Sequence, residues 1–192
     1  MKEIIISILR ESAELKLNFA KESSDSIEQA ANIIHSCLNS GGKVLIFGNG
    51  GSAADAQHIA SELVGRFIAD RRALPAVALT TDTSVITSIS NDSSFDRIFS
   101  RQIEALGNKN DVAFGITTSG RSKNVINGME TAQKLGLKTV SMTGTYSKKL
   151  EESSDCIIKV PSKSTPRIQE VHITVGHILC EIIDSLFSLK NS

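Results

Sequence analysis

Five short apolar runs divide the chain, and each gap between them is long enough to return the chain to the same end of a sheet. They are Lys43–Phe47 (KVLIF), Pro75–Leu79 (PAVAL), Asp111–Thr117 (DVAFGIT), Lys138–Met142 (KTVSM) and Cys156–Val160 (CIIKV). Most of these runs are continuous rather than alternating in polarity. Strands that are apolar on both sides must be covered on both faces, and a parallel sheet wrapped in crossover helices does this. Helical patterns fill the gaps over Ser52–Phe67, Asp96–Leu106, Val125–Leu135 and from about Arg167 to Leu189. The expected fold is α/β, with three layers and a five-stranded parallel sheet between helices. Ligands bind beyond the carboxyl ends of such strands. The loops after Phe47, Leu79, Thr117, Met142 and Val160 therefore hold any site.

The first 40 residues read as helical. Asp25 with Glu28 has the form of a helix-opening capping pair, and Ile27, Ala30, Ala31, Ile34 and Leu38 follow at helical spacing. Gly41-Gly42 closes that helix. No linker, repeat or low-complexity stretch splits residues 1–192, so one domain with an N-terminal helical extension is expected.

Balance of charge narrows the partners. Lys+Arg and Asp+Glu are both 21, so nothing global draws the chain to nucleic acid or an anionic membrane. Aromatics make up 4% with no Trp, a poor supply for base stacking. Cys37, Cys156 and Cys180 are odd in number and widely spaced, which suits a reducing compartment. The apolar start Ile4–Leu9 is broken by Ser7 and closed by Arg10 and Glu11, too short for a signal peptide. No stretch reads as a membrane span, and a cytoplasmic location is expected.

Two loops carry the means to hold a phosphate. Gly48-Asn49-Gly50-Gly51-Ser52 lies between a strand and a helix, where glycines admit close backbone approach and the helix start favours an anion. It lacks both G-x-G-x-x-G and G-K-[ST], so a tight turn capped by Ser52 explains it equally well. Thr117-Thr118-Ser119-Gly120-Arg121-Ser122 packs four hydroxyls around a glycine at a second strand-to-helix turn. Neutral donors of this kind hold a phosphate monoester without a lysine. A third cluster, Ser90-Asn91-Asp92-Ser93-Ser94, can bond sugar hydroxyls or simply make a turn.

The titratable groups are less specific. His58 and Glu62 are four apart and share a helix face, as two metal ligands, an acid–base pair or a surface ion pair do. The last helix carries Gln169, Glu170, His172, His177 and Glu181, and His35 reads as structural. Residue chemistry alone reaches an α/β domain that binds a small phosphorylated polar ligand.

The stretch Phe47–Leu63 (FGNGGSAADAQHIASEL) resembles the signature of bacterial phosphoheptose isomerases, sugar isomerase (SIS) domain proteins acting on sedoheptulose 7-phosphate. The likeness continues at Ser90-Asn91-Asp92, at Thr117–Ser122 and at Pro166–Ile173, in the same order and spacing. It implies conversion of sedoheptulose 7-phosphate to D-glycero-D-manno-heptose 7-phosphate, a step toward ADP-heptose and lipopolysaccharide core heptose. It implies a homotetramer built partly through residues 1–40, with active sites at subunit contacts and one zinc ion per subunit. Asn49, Gly50, Gly51, Ser52, Asn91 and Asp92 fall where the family meets substrate. Thr117, Thr118, Ser119 and Ser122 fall on its phosphate loop. His58, Glu62, Gln169 and His177 fall on its zinc site, with Glu62 and Gln169 also at the substrate. Glu62 and His177 fall on its catalytic base and acid. Two positions depart: Thr117 stands where serine is common, keeping the hydroxyl, and Pro166 stands where some members carry a polar residue.

Two physical constraints bear on that assignment. A carboxylate held by zinc is a weakened base, because the cation stabilises its charged form. Gln169 and His177 are eight residues apart, so on one straight helix their Cα atoms are roughly 12 Å apart. His172 is geometrically easier for an ion shared with Gln169, whereas the resemblance implies His177. A helix broken near Gly176, or ligands from two chains, would remove the conflict. The competing function is a non-catalytic SIS-type protein that senses a sugar phosphate or binds a partner such as a replication initiator. The relative that binds the initiator lacks the glutamate at the position of Glu62. Glu62 beside His58, with His177, favours the enzyme.

Overall fold

A computed structural model describes residues 1–188; Leu189, the expected end of the last helix, lies outside them. All five apolar runs are strands: β1 Val44–Gly48, β2 Ala76–Ala78, β3 Val112–Thr117, β4 Lys138–Thr143 and β5 Cys156–Lys159. Every pairing is parallel, in the order β2-β1-β3-β4-β5. β1 and β3 are fully buried along their length, which is why their sequences do not alternate. β2 is the short edge strand and leaves Val77 exposed.

Helices cover both faces. α1 (Lys2–Asn39), α2 (Gly51–Val64) and α7 (Thr165–Ser188) pack on one, where Val44, Ile46, Val112, Phe114, Ile116, Val140 and Met142 point. α4 (Ile98–Leu106) and α5 (Lys123–Lys134) pack on the other, over Leu45, Phe47 and Ala113. α3 (Thr83–Asp92) and α6 (Lys148–Ser153) complete that layer.

Local propensity misled the reading in four places. Asp25 opens no helix: α1 runs unbroken from Lys2 to Asn39, because Phe19, Ser23 and Ile27 fall on one buried stripe. Its serines bond back to the helix, Ser26 Oγ donating to the Ser23 carbonyl at 2.8 Å. α2 stops at Val64, short of Phe67, with Gly65 after it. α3 is a helix the sequence hides behind Thr, Ser, Val and Ile; the Asp82 carboxylate caps it by accepting from the Val85 amide at 2.9 Å. A short 3-10 turn, Phe95–Arg97, precedes α4 where one helix from Asp96 was expected.

α7 is the one helix among the described residues long and apolar enough to cross a membrane, contrary to the expectation that no stretch qualifies. Here it lines the core instead, burying Ile168, Val171, Val175, Leu179, Ile183 and Phe187. His35 meets Phe187 edge-on at 5.1 Å between ring centroids, the structural role expected of it. All three cysteines are buried free thiols, pushed by burial up to about 11 for Cys37 and Cys156 and about 12 for Cys180.

Two buried polar groups secure α7. Asp184 accepts from the Ile68 and Ala69 amides at 2.8 and 3.0 Å and pairs with Arg71, whose side chain is completely buried. Burial pushes Asp184 up, but those amides and Arg71 outweigh it and hold the carboxyl below its usual range. Arg71 also donates to the carbonyls of Glu62 at 2.9 Å and Leu63 at 3.0 Å, capping the end of α2. His172 is fully buried without a well-formed hydrogen bond, and burial pushes it down to about 4, only partly offset by the Thr143 backbone.

Arg71→Met is expected to cost about 3–5 kcal/mol in urea denaturation by stranding Asp184, and Arg71→Met/Asp184→Leu to recover at least half. His172 binds its proton more readily unfolded than folded, so stability falls as pH drops from 6.5 toward 4. Denaturation at pH 7.5 and 4.5 should show this loss, worth about 3 kcal/mol, shrinking in His172→Leu.

Candidate active site

The order β2-β1-β3 places a topological switch point between β1 and β3, where the two outgoing loops diverge to opposite faces. Those loops are the two phosphate candidates. Gly48 pairs with Ile116 in register, so both loops leave the sheet at one level. A reciprocal amide pair joins them: Asn49 Nδ2 donates to Asn124 Oδ1 at 2.8 Å, and Asn124 Nδ2 to Asn49 Oδ1 at 2.9 Å. Asn124 is buried and was not singled out in the sequence. Its only signal was an amide at the second position of the helix after the hydroxyl loop.

In the first loop the helix cap is Gly50, at φ 56, rather than Ser52, which lies buried inside the first turn of α2. The Gln169 side-chain amide lies over Gly51, its Nε2 2.4 Å from where a Cβ would stand, so a side chain there would push that amide aside. In the second loop Thr117 is buried and shares its hydroxyl with Ser122 at 3.1 Å and Ser119 at 3.4 Å. Gly120, at φ 62, lies against the Tyr146 carbonyl, where any side chain would collide. Thr118 and Ser119 open into a cavity of about 350 Å³ that Arg121, Thr145, Tyr146, Ser162, Lys163 and Thr165 complete. A larger cleft of about 670 Å³, with Asp25, Lys109 and Lys138, lies at the amino ends of the strands and holds none of the expected site residues.

His58, Glu62 and His177 converge. His58 Nε2 is 3.1 Å from Glu62 Oε1 and 3.3 Å from His177 Nε2, across 119 residues of sequence. His177 stacks on Phe67 at 5.5 Å and meets the His58 ring edge-on at 5.0 Å. α7 passes unbroken through Gly176, which lies against Ile59. α2 and α7 run parallel, with Gln169 beside Gly51 at their start and Asp184 beside Arg71 at their end. The His58–His177 contact lies between.

Two imidazoles and a carboxylate are the donor chemistry zinc prefers, and an ion with arms of about 2.0–2.1 Å leaves tetrahedral donors about 3.3 Å apart. Both measured separations fit that edge. His58 stands between the other two donors, however, and among the described residues no group of three His, Cys, Asp or Glu is arranged to hold a metal ion. Gln169 makes no hydrogen bond with the trio. His172 stays in the core, so the contact geometry favours His177 over it.

Asn91 and Asp92, at the end of α3, bond each other at 2.8 Å. Asp92 faces a cleft with Arg97 and Arg101, and no described contact joins either residue to the two loops. Asp55, one turn before His58, has a buried Oδ2 without a hydrogen bond. Burial raises its carboxyl to about 6, against a lowering from His58.

Comparison with known proteins agrees with this arrangement. The SIS domain family matches residues 9–144. A phosphoheptose isomerase from Aquifex aeolicus is 54% identical over 97% of each chain, and one from Aliarcobacter butzleri 48% over 98% of this chain and all of its own. The phosphoheptose isomerase structure from Neisseria gonorrhoeae superposes with a TM-score of 0.90 at 42% identity, covering 96% of this chain and 98% of that one. The one from Francisella tularensis gives 0.91 at 40%, over 95% and 97%. The chain belongs to the phosphoheptose isomerase family of SIS-domain proteins.

Proposed function

We propose that the chain isomerises sedoheptulose 7-phosphate to D-glycero-D-manno-heptose 7-phosphate in the cytoplasm, feeding glycoconjugate heptose synthesis. The observation that carries this reading is the meeting of Glu62, His58 and His177 on two helices that start beyond the carboxyl ends of the strands, on the side of the sheet that holds the hydroxyl loop. About half of the residues are shared, along nearly the whole chain, with proteins named for that reaction.

The phosphate anchors at Thr117, Thr118, Ser119 and Ser122, and the polyol runs past Asn49, Gly50, Gly51, Ser52 and Gln169. Asn91 and Asp92 would join from α3. The Glu62 carboxylate takes a proton from C1, beside the C2 carbonyl, leaving a 1,2-enediolate. Glu62 returns a proton to C2, and His177 carries the hydroxyl proton from O1 to O2. The carbonyl thereby moves from C2 to C1 with no atom gained or lost. His58, Glu62 and His177, with Gln169, would hold the zinc ion. Bound there, it supplies Lewis-acid polarisation of the carbonyl. With the ion bound, the Glu62 carboxylate would be a weaker base, because a cation stabilises its charged form.

Self-association follows from α1. Its first ten residues are all exposed and include Ile4, Ile5, Ile6, Ile8 and Leu9, an apolar row few monomers leave in water. A tetramer with this row inside is the proposed assembly.

Incubation of sedoheptulose 7-phosphate with the protein, followed by NMR, should give the aldoheptose phosphate. Glu62→Gln should lower kcat by at least about a hundredfold with the fold intact. Phosphate binding without turnover in wild type, with and without zinc, would sink the isomerase and leave a sensor. In light scattering the wild type should run at four chains, and Ile5→Asp/Leu9→Asp should run smaller.

A further inference from the structure

The cavity at the hydroxyl loop carries two cations and no acid. Its lining holds Arg121 and Lys163 among Thr118, Ser119, Thr145, Tyr146, Ser162 and Thr165, with no Asp or Glu. Neither Arg121 nor Lys163 has a carboxylate within ion-pair distance among the described residues.

Arg121 is nevertheless positioned. Its guanidinium lies 4.4 Å over the Tyr146 ring, and its backbone amide donates to Ser119 Oγ at 3.2 Å. Stacking occupies the face of a guanidinium and leaves its edge donors available. The backbone that carries this ring is itself fixed: the Tyr146 carbonyl accepts from Thr143 Oγ1 at 3.0 Å and seats Gly120, and the Gly144 amide bonds the Thr118 carbonyl at 3.2 Å. Lys163 enters from the β5–α7 loop on the same cavity.

Hydroxyls alone discriminate weakly between anions of different charge, since each donates the same dipole to any oxygen. A chain of zero net charge also offers no general steering. We propose that Arg121 and Lys163 make this site select its ligand as a phosphate dianion and so set the KM for the sugar phosphate. The proposal rests on the isomerase reading for its substrate, but its binding half stands apart from turnover.

Both side chains are exposed, so Arg121→Gln, Lys163→Gln and the double variant keep the fold. Inorganic phosphate is titrated by calorimetry, and KM is measured for sedoheptulose 7-phosphate, at pH 7.5 and 5.5. Each single variant should weaken both constants about threefold at pH 7.5, and the double variant about tenfold, the loss in kcat/KM being carried by KM. At pH 5.5 a phosphomonoester is largely monoanionic, so the double variant's ratio to wild type should shrink to about threefold. Added salt should raise the wild-type KM more steeply than the variant's. Constants within twofold of wild type at pH 7.5, or an equal loss at both pH values, overturn the proposal. A wild type that binds phosphate but does not turn over, with binding lost in the double variant, fails the isomerase and upholds the cation pair. No phosphate binding by wild type overturns both.

Discussion

The geometry of the catalytic face depends on one buried ion pair. Arg71 lies in the connection after α2, Asp184 near the end of α7, and both are buried. A charge removed from water is tolerated only when its partners are complete. Asp184 meets two amides besides Arg71, and Arg71 meets the carbonyls of Glu62 and Leu63. The carbonyl it grips at 2.9 Å belongs to the residue proposed as base. α2 is thereby held to α7 beyond the point where His58 meets His177, one turn further along α2 and about two turns further along α7. The apolar contact of Ile59 with Gly176 brings the helices close, but such contacts tolerate sliding. The directional bonds of the ion pair fix the register.

The other half of the site is set by the sheet. Strand order puts the β1 and β3 loops side by side, and the Asn49–Asn124 pair locks them together. Each loop is then closed against one more element, Gly51 against Gln169 of α7 and Gly120 against Tyr146. Glycine is required at Gly120, where the Tyr146 carbonyl already fills the space of a Cβ, whereas at Gly51 a Cβ would displace only the end of the Gln169 side chain. The end with the hydroxyl loop and the end where His58 meets His177 are thus held for different reasons, backbone closure in one and a buried charge in the other.

Legibility in the sequence follows the range of the interaction. β1, β3, β4 and β5 are where continuous apolar runs place them, since burial on both faces leaves a local mark. α3 was missed because its stability comes from the Asp82 cap and from packing of Ile86 and Ile89, not from good helix formers. The unbroken α1 was divided at Asp25 because a capping pair is local while its buried stripe is paid for by α7. The hydroxyls of Thr117–Ser122 and the His58–Glu62 pair were visible through spacing. Arg71, Asp184, Asn124 and Tyr146 left no local trace, since each matters through a partner distant in sequence.

The sequence by itself determined the layer architecture, the parallel sheet, the loops that could hold a ligand and, by resemblance, the family. Those are encoded in runs and motifs of fewer than twenty residues. Tertiary structure alone decided that His177, not His172, meets His58, that Gln169 lies against Gly51, and that a cation stacked on Tyr146 faces the hydroxyl loop. The physical reason is that two helices separated by more than a hundred residues become neighbours only when the strand order puts both on one face. No periodicity within either helix carries that order.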